Sequence, residues 1–200
     1  MRNESPAIKS MEIAIMRHGE PEIPKLPDKV SSKEFFQCLE IYKDCGLLQG
    51  SCPHETALAQ LRDVKAIVAS DLKRSSQSAA QLAAGQPLII DPLFREIDAS
   101  VFPIPIVKLS PKTWGNIYIA LWLAGVFEFI QSFRDGKKRA RDCANKLVSL
   151  AAKHDKVLFV GHGFINTYIA NELRSRGWKG PKLPGKGYWD YGTYYKSPPL

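Results

Sequence analysis

The chain has 200 residues, is 44% hydrophobic and 24% charged, and carries a formal net charge of +8, which suits one globular domain over 1–200 with a sizeable core. Its four cysteines, Cys38, Cys45, Cys52 and Cys143, are too few for a disulfide scaffold and form no C-x-x-C pair, so they read as ordinary reduced thiols. The positive charge gathers in 137–141 and 174–186 with no nucleic-acid motif beside it; it equally suits an enzyme that attracts anionic phosphoesters, and nucleic acid is not an expected partner.

In chain order, residues 1–10 lack the apolar run of a secretory leader, which predicts a cytoplasmic protein. Residues 12–16 form a short apolar strand that runs straight into Arg17-His18-Gly19. Three prolines in 21–28 predict a loop, and 31–42 reads as a helix. The spacing of Ala57, Leu58, Leu61 and Val64 predicts a helix over 55–64. A strand over 66–69 leads into a helix over 71–84, with Ser70 or Asp71 as its N-cap. A further strand follows at 88–90. Prolines 103, 105 and 111 open a stretch that continues into an apolar helix over 114–130, and 100–130 together reads as an insertion or cap over the site. The run IYIALWLAGVFEFI at 117–130 is shorter than the about 20 residues of a membrane span and contains Glu128, so no membrane is expected as a partner. Helix 136–153, strand 157–160 and helix 164–176 with Gly177 as its C-cap complete the series. Short strands rich in branched residues alternating with helices predict the α/β class, a central sheet covered on both faces.

Strands 12–16 and 157–160 both end in a histidine flanked by glycine, His18 and His162. Neighbouring parallel strands deliver their C-terminal loops to one edge, which would bring the two imidazoles together. His18 alone also suits a structural hydrogen-bonding role. Arg17 beside it offers a guanidinium fork that fits phosphate oxygens, and Gly19 would let backbone N–H groups approach an anion. A neighbouring arginine also disfavours imidazolium and leaves a neutral ring nitrogen free to attack. Arg74 falls in the first turn of a helix, where unpaired N–H groups favour anions, although a solvated arginine is the plain alternative.

Arg17-His18-Gly19 after the first strand, Ser70-Asp71-Leu72-Lys73-Arg74-Ser75-Ser76-Gln77-Ser78-Ala79 at a helix start and the late Gly161-His162-Gly163 together resemble the histidine phosphatase superfamily, also called phosphoglycerate mutase-like. Leu93-Phe94-Arg95-Glu96-Ile97-Asp98 lies between them and resembles that family's acidic segment. The resemblance implies a three-layer α/β/α sandwich with a mostly parallel central sheet. It also implies a metal-independent phosphatase that needs no cofactor and passes through a phosphohistidine on His18. Arg17, Arg74 and His162 would surround the transferred phosphoryl group, His18 neutral and His162 a cation or at least a donor. Glu96 would protonate the leaving group, with Asp98 as the alternative; a surface pair of Arg95 with Glu96 is the plain reading. Phosphomutase-type transfer and a catalytically degenerate phospho-ligand-binding protein are the competing functions.

The chain departs from the family in two places. Where many members carry a hydroxyl residue and an asparagine that contact phosphate, this chain has Pro21 and Pro24, so part of the pocket must differ. The glycine and Trp-Glu-Gly that usually follow the acidic segment are replaced by 99–103, which argues against phosphoglycerate mutase activity. A small phosphorylated metabolite or a phosphoprotein is the expected substrate class, with specificity placed in 21–50, 100–130 and the tail. Helix 114–130 allows packing on the core, a homodimer face or a wall of the substrate pocket. His54 at a helix start reads as a capping or surface residue, and His154 as solvated.

Overall fold

Every apolar run that reads as a strand becomes one in the computed structural model, which describes residues 10–97, 104, 107–124 and 128–196. In chain order the elements are β1 (Met11–Arg17), β2 (Val30–Ser31), α1 (Ser32–Asp44), α2 (Glu55–Gln60), β3 (Ala66–Ala69), α3 (Lys73–Leu82) and β4 (Leu88–Ile90), followed by β5 (Lys108–Leu109), α4 (Pro111–Leu123), α5 (Glu128–His154), β6 (Lys156–Gly161), α6 (Gly163–Ser175) and β7 (Tyr191–Lys196). Five strands form the main sheet in the order β4-β3-β6-β1-β7. The first three pairings are parallel, and β7 joins the edge antiparallel to β1. β2 and β5 make a separate two-stranded ribbon.

The period-two alternation of the strands divides the core between two faces. Ile13 and Ile15 of β1, Val157 and Phe159 of β6 and Val68 of β3 point to one side, under α5 and α6. Ala14, Met16, Leu158, Val160 and Ile67 point to the other, where Ala57 of α2 and Ala79 of α3 cover them. Helices therefore lie on both faces of a mostly parallel sheet. α5 supplies Ala140, Cys143, Ala144, Leu147 and Ala151, all at most 2% exposed and spaced three or four apart, as a helix stripe facing a sheet requires. Each fully buried branched side chain in such a core contributes about 1.5–3 kcal/mol.

Several boundaries differ from the sequence reading. The expected helix over 114–130 is two helices, α4 ending at Leu123 and α5 beginning at Glu128; Gly125, a poor helix former, falls between them. α5 thus starts eight residues before Gly136, which fits inside a helix because its bare Cα packs against Ile97. The cap of α3 is Leu72 with no side-chain cap bond, because Ser70 and Asp71 are engaged elsewhere. α1 does carry a capping box, with the Ser31 hydroxyl accepting from Glu34 N–H and the Glu34 carboxylate accepting from Ser31 N–H. β7 lies in a tail where the sequence reading expected no strand; its buried Gly192 and Tyr194 alternate with half-buried Tyr191 and Thr193 and exposed Tyr195.

α4 packs on α1 through a third cluster. Trp114 is 1% exposed and donates its indole N–H to the Val30 carbonyl at 2.8 Å, while Tyr118 stacks on Phe35 with ring centroids 5.9 Å apart. The apolar character of α4 is thereby largely used against its own chain, although Ile119 remains exposed. All four cysteines are free thiols: Cys38 lies on α1, Cys45 caps that helix, Cys52 is in a loop and Cys143 is buried on α5. Among the described residues no helix is long and apolar enough to cross a membrane.

Candidate active site

Register alone brings the two histidines together. Arg17, the last residue of β1, pairs with Gly161, the last of β6, so His18 and His162 leave the sheet side by side. His18 N–H donates to the Gly161 carbonyl at 3.0 Å, and the two imidazole centroids lie 5.1 Å apart. Both residues are 1% exposed. β3 is the next strand along, and the chain leaving it places Ser70 against His162 and Arg74 in the first turn of α3.

The His18 Nδ1 lies 2.7 Å from the Gly19 carbonyl, which can only accept, so Nδ1 carries the proton and Nε2 of the neutral ring holds a free lone pair. Burial pushes the His18 pKa down to about 3, with Arg74 and Arg17 adding to the effect and the Gly19 carbonyl opposing it. The imidazole is therefore an uncharged base at neutral pH. The Tyr42 hydroxyl donates to that Nε2 at 3.3 Å.

His162 is held differently. Its Nε2 lies 2.7 Å from Ser70 Oγ, and its Nδ1 is buried with no hydrogen-bond partner among the described residues. Burial, then His18, Arg74 and Arg17, depress its pKa well below the usual histidine range, so this ring is neutral rather than the cation the sequence reading allowed. The Ser70 pair fits either tautomer of this neutral ring: where the hydroxyl donates to Nε2, the buried Nδ1 carries the proton, and where it accepts, Nε2 does.

The two arginines are each clamped twice. Arg74, 2% exposed, donates through Nη1 to the carbonyls of Tyr42 and Lys43 at 2.9 and 3.0 Å, and its guanidinium carbon lies 4.2 Å from the centre of the Tyr42 ring. Arg17 donates through Nη1 to the Lys186 carbonyl at 2.6 Å and lies 4.6 Å from the centre of the Tyr188 ring. Cation–π contact of this kind orients a guanidinium without neutralising it. The Nε of both arginines is buried and has no partner among the described residues. Two permanent cations and two neutral imidazoles around one point make a site for a dianion such as a phosphoryl group.

Glu96 does not pair with Arg95, whose guanidinium instead forms a bidentate pair with Asp71. The Glu96 carboxylate turns inward to the start of α6: Oε1 accepts from Ile97 N and Ile165 N, both at 2.9 Å, and Oε2 from Phe164 N at 3.1 Å. Burial raises its pKa, against the pull of those three N–H donors and of Arg74. Although part of the residue remains solvent-accessible, the enclosure of its carboxylate decides the direction. Asp98, the alternative acid, lies outside the described residues.

Gly19 corrects the sequence reading. Its N–H donates to Ser78 Oγ at 2.8 Å and is not left for an anion. The glycine is needed because a Cβ there would come within 2.4 Å of the Trp189 ring. Trp189 itself holds a left-handed φ of 63°, costly for a bulky residue, secured by its indole N–H donating to Ser51 Oγ at 3.0 Å and by burial. Its backbone N–H reaches the Arg17 carbonyl at 3.2 Å, so the tail 185–190 is fastened to the loop that carries His18. His54 is the N-cap residue of α2, exposed and making no side-chain cap bond. His154, the last residue of α5, is half-buried rather than fully solvated. Sequence reasoning missed Tyr42, Ser78, Tyr188 and Trp189, and recognised Ser70 only as a cap.

Comparison with known proteins fits this geometry. The pattern of the family described as Histidine phosphatase superfamily (branch 1) matches residues 51–184, about two thirds of the chain. The chain belongs to the histidine phosphatase superfamily. That match contains Arg74, Glu96 and His162 but begins after Arg17-His18-Gly19, as the divergent segment 21–50 would cause. Phosphoserine phosphatase of Entamoeba histolytica, solved with 3-phosphoglyceric acid, superposes with a TM-score of 0.59 at 16% identity, covering 92% of this chain and 89% of that one. A mycobacterial glucosyl-3-phosphoglycerate phosphatase superposes at 0.55 and 17% identity, covering 92% and 90%. At such identities the likeness shows the shared phosphoglycerate mutase-like fold. No curated protein sequence matches the chain significantly.

Proposed function

We propose that this superfamily member is a metal-independent phosphatase of the cytoplasm that hydrolyses a phosphomonoester, a small phosphorylated metabolite or a phosphoprotein, through a phosphohistidine on His18. The observation that carries the reading is the His18 ring itself, neutral, with Nδ1–H tied to the Gly19 carbonyl and Nε2 left as an acceptor, met by the Tyr42 hydroxyl, with Arg74 and Arg17 close enough to disfavour its protonation. The phosphatase titles of the structural neighbours agree with it.

Nε2 attacks phosphorus in line; the N–P bond forms as the P–O ester bond breaks. Arg17, Arg74 and a ring N–H of His162 stabilise charge on the equatorial oxygens. Glu96 gives its proton to the departing alkoxide. Oε2 accepts only one N–H, so it can carry that proton while both bonds to Oε1 persist. Water then attacks phosphorus, its proton returns to Glu96, and the broken N–P bond restores neutral His18 and releases inorganic phosphate. α4, seated on the helix that carries Tyr42, serves as the cap of the site.

A panel of phosphoesters assayed with EDTA present, beside a His18→Ala variant, tests the reading. Turnover should survive chelation and fall by at least about 10⁴-fold in the variant. An acid-labile, base-stable phosphoenzyme should be trapped from the parent only. Activity retained by His18→Ala would remove the nucleophile assignment, loss with EDTA would indicate a metallophosphatase, and phosphoryl exchange into 3-phosphoglycerate would favour a mutase.

A further inference from the structure

The segment after Arg17-His18-Gly19 brings prolines rather than side-chain donors toward the site, and a tyrosine from α1 reaches His18 instead. Pro21 is bridged to Leu47, and Pro24 lines a cavity on α1 with Leu26, Cys38 and Ile41; neither offers a donor. Tyr42, near the end of α1, stands instead with its hydroxyl 3.3 Å from His18 Nε2. In-line attack requires phosphorus at about 3–3.5 Å from that nitrogen. The phenol oxygen therefore borders the space that the phosphoryl group must enter, within reach of one of its oxygens.

We propose, on the phosphatase reading above, that Tyr42 is a further catalytic residue whose hydroxyl turns from His18 Nε2 to an oxygen of the transferring phosphoryl group. Before substrate binds, the same hydroxyl satisfies the nucleophile's lone pair, so neither group is buried unpaired. The contacts of Tyr42 with Arg74 make the two residues one unit: the ring covers the guanidinium face, and the Tyr42 backbone carbonyl accepts from Nη1. A phosphoryl oxygen that meets Arg74 thus also lies beside the phenol. Burial raises the Tyr42 pKa above its usual value against the pull of Arg74 and Arg17, which keeps the hydroxyl a donor at neutral pH.

Tyr42→Phe removes the hydroxyl while leaving the ring over Arg74 and both backbone carbonyls in place. With p-nitrophenyl phosphate as substrate, kcat should fall about 10²-fold, the loss typical of one donor to developing charge, with KM changing little. Inhibition by orthovanadate, which adopts the five-coordinate geometry, should weaken by a similar factor. Placing 4-aminophenylalanine at position 42 restores a donor and should recover most of the rate, which a purely structural role would not require. A kcat for Tyr42→Phe within twofold of the parent, or above it, with orthovanadate inhibition unchanged, overturns the assignment and makes the hydroxyl an occluding group only. A parent protein that neither turns over phosphoesters, forms a phosphoenzyme nor binds orthovanadate overturns the phosphatase reading and this proposal together. Parent turnover with an indifferent Tyr42→Phe overturns this proposal alone.

Discussion

The site has two halves built by different means. At the sheet edge, β1, β6 and the start of α3 present Arg17, His18, His162 and Arg74 from consecutive strand ends, and parallel register dictates their meeting. The rim, made of the end of α1 and the tail 185–190, works through backbone: the carbonyls of Tyr42 and Lys43 hold Arg74, and that of Lys186 holds Arg17. Its side chains are two tyrosine rings lying on the guanidinium faces and a tryptophan wedged against Gly19. The edge sets which bond is made and broken. The rim fixes where the cations point, through carbonyls that any residue could supply and through the rings of Tyr42 and Tyr188, which only aromatic residues could.

Arg74 belongs to both halves, and its loss is the severest way to break the comparison. Arg74→Ala should lower kcat/KM by about 10²–10³, and Arg74→Lys should recover little, since an ammonium cannot span the two carbonyls and the phosphoryl oxygens in one plane. If lysine restores most of the rate, charge alone matters and the rim is incidental. Glu96→Gln comes next. It should cost about 10²-fold on an alkyl phosphate, which needs a protonated leaving group, and far less on p-nitrophenyl phosphate. The acid must be protonated to act, so the parent rate should fall as pH rises through the raised Glu96 pKa, and the variant should lose that alkaline limb. His18, with its pKa near 3, stays an uncharged nucleophile on acidification, so kcat should hold at pH 5 apart from the change in the substrate's own charge. A fall in kcat between pH 7 and pH 5 that exceeds the loss of substrate dianion, whose own ionisation lies at about pH 6, would contradict the neutral imidazole. The smallest change strikes the rim alone. Gly19→Ala drives a methyl into the Trp189 ring and should cost about 1–3 kcal/mol of stability by thermal or urea unfolding. An unchanged unfolding midpoint would show the tail to be loosely seated.

The edge was readable in the sequence because its signals are local. An apolar run followed by Arg17-His18-Gly19 is strand, then site, within nine residues, and the second histidine repeats the pattern. The inward turn of Glu96 was not readable, since Arg95 beside it makes a surface pair look natural until Asp71 takes that arginine. The rim was hidden for another reason. Arg17 and Lys186 are 169 residues apart, Arg74 and Tyr42 are 32 apart, and contacts to carbonyls leave no residue preference behind. Gly19 was recognised as important for the wrong cause, because the ring it accommodates lies at the other end of the chain. The 114–130 helix failed at its boundary: a mostly apolar run hides where one helix ends, at Leu123, and the next begins, at Glu128.

β7 gives the tail a second consequence. Lying antiparallel along β1 from Met11–Lys196 to Met16–Tyr191, it covers the outer hydrogen-bonding edge of the strand that ends at the nucleophile. Should the tail peel away on heating, β1 would expose a full row of unpaired amides and carbonyls flanked by Ile13, Ile15 and Met16, a ready template for cross-chain pairing. Inactivation and aggregation would then begin at the same strand, and the shelf life of the protein would be set by how firmly its last strand holds.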